Sequence, residues 1–251
     1  MKNISLVTGA SAGLGVEFAR QLSARGQRLV LVARRKDRLA ALAEELGNAR
    51  AVSLDLSQPG AADRLMADIG KAGESVDLLV NNAGFGLWGR FNAAEPLALR
   101  QMIDLNCGVL TELCSAVVPA MIDRKSGSIL NVASTAAFQP GPGMAVYFAT
   151  KAYVLSLSEA LHEELRPFGI RVTALCPGPT ATEFGDVAGF RGNGVFDKLS
   201  ADSATVVRAG LAGLEKGRAV VIPGLVNKMG AQGHRLLPRA LLRKITGSIK
   251  L

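Results

Sequence analysis

Thr8-Gly9-Ala10-Ser11-Ala12-Gly13-Leu14-Gly15 is the stretch that decides the fold. An apolar, strand-like run containing Ile4, Leu6 and Val7 leads into it, and Val16, Phe18, Ala19 and Leu22 continue from it in a helical pattern. Strand, glycine turn and helix in that order suit a dinucleotide. The glycines allow a tight turn and close backbone approach, so that amide N–H groups and the positive end of the helix face a pyrophosphate. The spacing is GxxxGxG, not the commoner GxGxxG, and a lone glycine triplet is weak evidence. A plain strand-to-helix turn, however, needs one glycine, and Gly9, Gly13 and Gly15 crowd into seven residues.

Outward from this turn, short β-branched or apolar runs recur at Ile4 to Val7, Arg28 to Val32, Ala51 to Leu54, Val76 to Val80, Ser128 to Val132, Ile170 to Leu175 and Ala219 to Ile222. Segments of helical spacing lie between them. That alternation predicts βαβ units, because parallel strands need a crossover. Seven strands predict one α/β, doubly wound parallel sheet with helices on both faces. Glu95 to Asp123 and Val146 to Arg166 read as the two longest helices. Residues 1–222 are expected to form one dinucleotide-binding and catalytic domain, followed by a basic C-terminal extension over 223–251.

The 251 residues include 29 Lys plus Arg against 21 Asp plus Glu, a formal net charge of +8. Such a surplus invites a nucleic-acid reading, but residues 1–215 hold 21 basic and 21 acidic side chains and are neutral. The other basic residues (Lys216, Arg218, Lys228, Arg235, Arg239, Arg243, Lys244, Lys250) follow Glu215, the last acid. The body is therefore not a nucleic-acid binder. With 49% apolar residues the chain supports one large core. A strand-like run so near Met1 leaves no room for a signal peptide and argues against secretion. No apolar run reaches the roughly 18 residues of a spanning helix. Cys107, Cys114 and Cys176 are odd in number and form no CxxC pair, so a reducing, cytoplasmic setting fits. The two histidines lie far apart, and no catalytic metal is expected.

Cofactor choice is read where the second strand ends, beside the adenosine ribose. The sequence there is Ala33-Arg34-Arg35, with no carboxylate for a 2′-hydroxyl and two guanidinium groups suited to a 2′-phosphate. This predicts NADP(H), with Arg34, nearer the strand end, as the better partner; either arginine could instead begin a solvated helix with Lys36 and Arg38. Asp55, closing the third strand, could accept a bond from the adenine amino group or could be a helix N-terminal charge. Within Tyr147-Phe148-Ala149-Thr150-Lys151 the phenol and the ammonium stand at i and i+4 on one helix face. A phenol of pKa about 10 is a poor acid at neutral pH. A nearby cation is expected to draw it toward the working range.

Together these stretches resemble the short-chain dehydrogenase/reductases, from Ser5 to about Ile222. Thr8 to Gly15 is similar to that family's TGxxxGxG, and Asn81-Asn82-Ala83-Gly84 to its NNAG after the fourth strand. Asn106 falls where the family has a helix asparagine. Ser134 follows the fifth strand, thirteen residues ahead of Tyr147, and Tyr147 with Lys151 matches YxxxK. Pro177-Gly178 with Thr182 resembles PGxxxT after the sixth strand.

The resemblance implies a Rossmann-like domain that transfers hydride between a nicotinamide and a ketone, aldehyde or secondary alcohol. It implies that Tyr147 protonates the carbonyl oxygen in reduction while Ser134 holds and polarises it. Lys151 would lower the tyrosine pKa and bond the nicotinamide ribose, and Asn106 would support a proton-relaying water. For Asn106 a helix-kink or capping amide is the alternative. The cofactor contacts expected are Gly9, Ser11, Gly13, Leu14, Gly15, Arg34, Arg35, Asp55, Asn82, Ala83, Gly84, Tyr147, Lys151, Pro177 and Gly178, with Thr180 and Thr182 on the carboxamide. A homodimer or homotetramer through the two long helices is also implied. The competing reading is an NADP(H)-binding regulator or membrane-recruited scaffold without turnover; a complete Ser134, Tyr147 and Lys151 set argues against it.

Substrate contacts are expected from Phe85 to Gly89, Phe138 to Met144 and Glu183 to Lys198. Their apolar side chains point to a hydrophobic carbonyl substrate, or else pack on one another. The last stretch, with Gly185, Gly189, Gly192 and Gly194 between Phe184, Phe190 and Phe196, has the composition of a lid. In the tail, Leu236, Leu237, Ala240, Leu241 and Ile245 follow helical spacing beside Arg235, Arg239 and Arg243. Docking of this helix onto the body or a partner subunit is expected ahead of peripheral attachment to an anionic membrane. Pro238 fits the first turn of a helix starting near Leu236. Cys107 and Cys114 are expected in the buried face of their helix, and His162 in an acidic surface turn.

Overall fold

The computed structural model describes residues 2–188, 200–233 and 238–247. Strands β1 (Lys2–Thr8), β2 (Leu29–Ala33), β3 (Ala49–Ser53), β4 (Glu74–Asn81), β5 (Gly127–Val132), β6 (Ile170–Leu175) and β7 (Val220–Val221) pair in the order β3-β2-β1-β4-β5-β6-β7. Every pairing is parallel. All seven expected strands form, giving the doubly wound, Rossmann-like sheet. The helices are α1 (Gly13–Ser23), α2 (Lys36–Leu46), α3 (Ala61–Lys71), α4 (Pro96–Ile103), α5 (Val109–Asp123), α6 (Ala145–Leu165), α7 (Phe184–Ala188), α8 (Ser203–Glu215), α9 (Leu225–Gly233) and α10 (Arg239–Gly247).

Strand side chains alternate between faces, so each apolar strand feeds two cores. Ile4, Leu6 and Ile129 join α3, α5 and α6 through Leu65, Leu113, Val117 and Val154. Val7 and Leu130 join α1, α2 and α8 through Phe18, Leu22, Leu39, Val207 and Leu211. Burying both faces is what allows an all-parallel sheet. The strand order reverses between β1 and its two neighbours, β2 and β4. The crevice at the C-terminal ends of β1 and β4 is therefore where such a sheet binds ligands.

Two expectations shift in detail. The stretch Glu95 to Asp123 is helical from Pro96 but widens into a π segment at Asp104–Gly108, where the Val109 N–H reaches back to the Asp104 carbonyl. As one path, Pro96–Asp123 is long and apolar enough to cross a membrane, with a mean hydropathy of 1.6 over its best window. The unbroken-run criterion missed it because Arg100, Asp104 and Glu112 interrupt the run; here Leu110, Leu113, Val117 and Met121 pack against the sheet. In the tail, α10 begins at Arg239, with the Pro238 carbonyl accepting from the Leu241 and Leu242 amides at 2.9 and 3.1 Å. Pro238 thus stands at the cap and not within the first turn; Arg235, Leu236 and Leu237 lie outside the described residues. The tail folds over the body at the C-terminal end of the sheet. Asn227 of α9 lies against Gly178, and Gly247 of α10 against Pro142.

Candidate active site

The glycine turn is built by sterics. Gly9 and Gly13 take φ of +68° and +54°, left-handed values that suit glycine. At Gly15 the reason is proximity, since a Cβ there would collide with the Gly9 carbonyl. The turn is sewn to β4 by two side chains. The Thr8 hydroxyl accepts from the Asn82 and Ala83 amides, both at 3.0 Å, and the Asn82 amide nitrogen donates to the Thr8 carbonyl at 2.9 Å. Ala12, the N-cap of α1, offers no side-chain cap. The first amides of the helix therefore form a backbone cradle of the kind that takes phosphate. Thr182 closes one side, 3.0 Å from where a Gly13 Cβ would stand. The Thr180 hydroxyl instead turns back to the Gly178 carbonyl at 3.0 Å.

Beside the cradle the two adjacent arginines part. Arg35 lies over the turn, with Nε donating to Ser11 Oγ at 3.1 Å and Nη2 to the Ser11 carbonyl at 3.2 Å. Its Nη1 reaches Glu183 at 2.8 Å, and Arg38, one helical turn on, reaches the other carboxylate oxygen at 2.6 Å. Those bonds from Arg35 and then Arg38 hold the Glu183 carboxyl below its ordinary value. Arg34 is exposed near Asp55. Asp55 lies just past β3 and accepts from the Ser57 amide at 3.0 Å and hydroxyl at 2.8 Å. Burial pushes its carboxyl up, but the Ser57 and Gln58 bonds and the Arg34 charge outweigh that and leave it low. The carboxylate is thus engaged in its own turn.

Helix α6 carries Tyr147 and Lys151 near its start and core residues toward its end. Tyr147, Thr150, Lys151, Val154, Leu155 and Ser158 form one buried stripe. Tyr147 stands beside Ser134, whose Oγ accepts from the Ala136 amide at 3.1 Å and donates to the Pro177 carbonyl at 3.5 Å. Lys151 donates to the Val132 carbonyl at 2.8 Å, and its Nζ sits 5.8 Å from the Tyr147 ring centroid. The expected pKa direction is reversed for the phenol. Burial pushes Tyr147 up to about 12, and the nearby Ser134 hydroxyl only partly offsets this. Burial also pulls Lys151 down to about 8. Desolvation dominates at both groups, and the ammonium's short hydrogen bond goes to the Val132 carbonyl, not to the phenol.

Asn106 occupies the π segment, whose i→i+5 bonding is a frequent mark of functional sites. Its side chain is locked: Nδ2 donates to the Phe85 carbonyl and to Thr150 Oγ1, both at 3.0 Å, and Oδ1 accepts from the Phe85 amide at 3.1 Å. The amide therefore joins the post-β4 loop to α6. Gly84 sits between, where a Cβ would stand 2.9 Å from Asn106 Oδ1 and 3.7 Å from Lys151 Nζ. Pro177 closes the floor by accepting from the Thr135 amide at 2.9 Å.

An apolar wall flanks the phenol. Met102, Ala136, Met144 and Ala188 are buried with Tyr147, and Phe85, Leu87, Trp88, Leu99 and Phe184 pack on them. The Phe184 ring centroid lies 5.3 Å from that of Tyr147. Residues 189–198 of the expected lid, with Phe190 and Phe196, lie outside the described residues. Several members of the site were not expected. Asn131 accepts from Asn81 at 2.9 Å and donates to Ser158 at 2.9 Å, a wholly buried polar chain across the sheet. A lone asparagine inside the apolar run Ile129 to Val132 was its signal; Glu183 gave none. Cys114 is buried as expected, whereas Cys107 is only half-buried. His162 lies within α6, not in a turn, its ring against the Val172 carbonyl at 2.8 Å. Among the described residues no three His, Cys, Asp or Glu side chains gather to hold a metal.

Known proteins share this arrangement. The short chain dehydrogenase family profile matches residues 3–189. An NADP-dependent 3-hydroxy acid dehydrogenase, YdfG of Salmonella typhi, is 38% identical over 195 residues, covering 76% of this chain and 77% of its own. Among solved structures, a short-chain dehydrogenase from Sphingobium yanoikuyae in complex with NADPH superposes with a TM-score of 0.84 at 33% identity, covering 100% of this chain and 97% of its own. A bulky-bulky ketone specific alcohol dehydrogenase from Comamonas testosteroni gives 0.79 at 30% identity, with coverage of 100% and 95%.

Proposed function

The chain belongs to the short-chain dehydrogenase/reductase family, and from that premise we propose that it is an NADP(H)-dependent reductase of ketones or aldehydes with apolar flanking groups. The residues fit the cofactor. The Gly9–Gly15 cradle and the uncapped start of α1 take the pyrophosphate. Ser11, Arg34 and Arg35 take the 2′-phosphate. Asn82 and Ala83 fix the floor, while Lys151 and Thr182 line the nicotinamide side. When bound, the nicotinamide supplies hydride in reduction and accepts it in oxidation.

The chain's own residues handle the proton. At a pKa near 12, Tyr147 keeps its proton throughout the neutral range and is ready to give it to a developing alkoxide. Ser134, beside the same phenol, would help hold and polarise that oxygen. Lys151, near 8, is mostly charged at pH 7 and stabilises a phenolate once the proton has left. The observation that carries the reading is a Tyr147 phenol buried in an apolar cluster beside Ser134, with Lys151 one turn along the same buried stripe.

A panel of aryl and alkyl ketones, aldehydes and 3-oxo acids, followed by nicotinamide absorbance with NADPH and NADH, tests it. Apolar ketones with NADPH are expected to turn over fastest. No turnover of any carbonyl despite NADPH binding would sink the enzymatic reading. We also propose a subunit contact through the two long helices, where Ile103, Cys107, Ala145, Val146 and Ala149 line an apolar groove of about 370 Å³ between the Pro96–Asp123 path and α6.

A further inference from the structure

Among the described residues, Glu183 is the carboxylate beside the cofactor cradle that binds two guanidinium groups, and no expected cofactor contact includes it. It immediately follows Thr182, which already rests on Gly13. Its two oxygens are divided between Arg35 at 2.8 Å and Arg38 at 2.6 Å. Those arginines are one turn apart and share a face of α2. Arg35 is fully committed, with Nε and Nη2 on Ser11 and Nη1 on Glu183. The segment after β6 is thereby tied across the mouth of the cleft to the residues that would meet a 2′-phosphate.

We propose that Glu183 is a specificity-determining residue, an internal anion that holds Arg35 and Arg38 until a 2′-phosphate displaces it. This rests on the NADP(H) reading above. A phosphate monoester and a carboxylate ask for the same guanidinium fork, and the dianion is the stronger acceptor. Two anions on Arg35 would also repel one another. An adenosine ribose with a free 2′-hydroxyl offers nothing in exchange for the carboxylate, so NAD(H) leaves the strap in place. NADP(H) releases Glu183 from Arg35 and Arg38. The bridge side chains are 43%, 53% and 45% exposed, so each ion pair contributes modestly and the exchange is readily reversible. A dry, buried bridge would resist displacement; a half-wet one can be traded.

The test is calorimetric binding of NADPH, NADH and adenosine 2′,5′-bisphosphate to the full chain and to Glu183→Gln. The glutamine keeps the side chain's size and loses its charge. Since Glu183 is half-exposed, the variant's fold is not at risk. NADPH and the bisphosphate are expected to bind roughly three- to ten-fold more tightly to the variant, with NADH changed less than two-fold, as expected for removing a competing exposed pair. Glu183→Asp should recover part of the parent behaviour. Unchanged or weaker NADPH binding to Glu183→Gln would overturn the proposal, weaker binding meaning that the carboxylate closes over the bound cofactor instead of yielding to it. A parent that binds NADPH no better than NADH would fail the NADP(H) reading itself, a result visible before any variant is measured.

Discussion

The buried stripe of α6 and the arginine rim of α2 both place cations beside the cofactor cleft, and they do so under opposite solvent conditions. Lys151 is 6% exposed, and its ammonium is held by one backbone carbonyl. Arg35 and Arg38 are about half-exposed and are held by a carboxylate. In the stripe, desolvation dominates, moving Lys151 down to about 8 and Tyr147 up to about 12. In the rim, water screens the charges and leaves their partners exchangeable. The interior thus sets the energy of a proton, and the rim sets which anion is welcome.

The largest effect that could break this contrast is at the phenol. Tyr147→Phe removes the phenol hydroxyl from the buried stripe, and kcat for ketone reduction should fall by roughly 10²–10⁴. NADPH affinity should stay within about two-fold, because the rim and the glycine cradle are untouched. Parent-like turnover in the variant would remove the proton-donor role from the stripe and leave the interior with no function that the rim lacks.

Part of this contrast was legible in the sequence. The i, i+4 spacing of Tyr147 and Lys151 placed them on one face, and Ser134 and Asn106 stood at recognisable positions. The direction of the phenol's shift was not legible, because proximity predicts attraction while only packing reveals that both groups are desolvated. The seven strands were readable from alternating apolar runs, whose period is a local property. The π segment around Asn106 was not, since a single widened turn leaves the apolar pattern almost unchanged. In the rim, Arg34-Arg35 was visible as a pair, but its division between Asp55 and Ser11 depends on where α2 begins. Glu183 lies 148 residues from Arg35 and left no sequence signature at all. Long-range ion pairs between loops have no period to read.

A second, smaller effect sharpens the comparison through pH. A Lys151 pKa near 8 in the folded chain, against an ordinary 10.5, means the unfolded chain binds more protons between those values, so stability rises with pH across that window. Tyr147 acts oppositely. Its folded pKa near 12 exceeds the ordinary 10, so its contribution is present below pH 10 and lost as pH climbs toward 12. Denaturant unfolding should show the parent gaining about 2 kcal/mol between roughly pH 8 and 10, where the tyrosine loss is only beginning. Lys151→Met should abolish the gain and be more stable than the parent at pH 7 by roughly 1–4 kcal/mol, as buried charges replaced by apolar groups often are. A flat parent profile from pH 8 to 10 would mean that the ammonium is hydrated after all.

The rim should respond least. Arg38→Ala removes one guanidinium from Glu183 while Arg35 remains, and both lost partners are already in contact with water. Unfolding should change by less than about 1 kcal/mol, a shift in Tm of no more than roughly 2–4 °C in a chain of this size. Raising the salt should shrink even that difference, because exposed pairs are screened within about 10 Å at 0.1 M. A loss approaching that of a buried pair, about 3 kcal/mol or more, would show that the strap across the cleft mouth is desolvated. In that case rim and interior would obey the same physics, and displacement of Glu183 by a 2′-phosphate would be too costly to set cofactor choice.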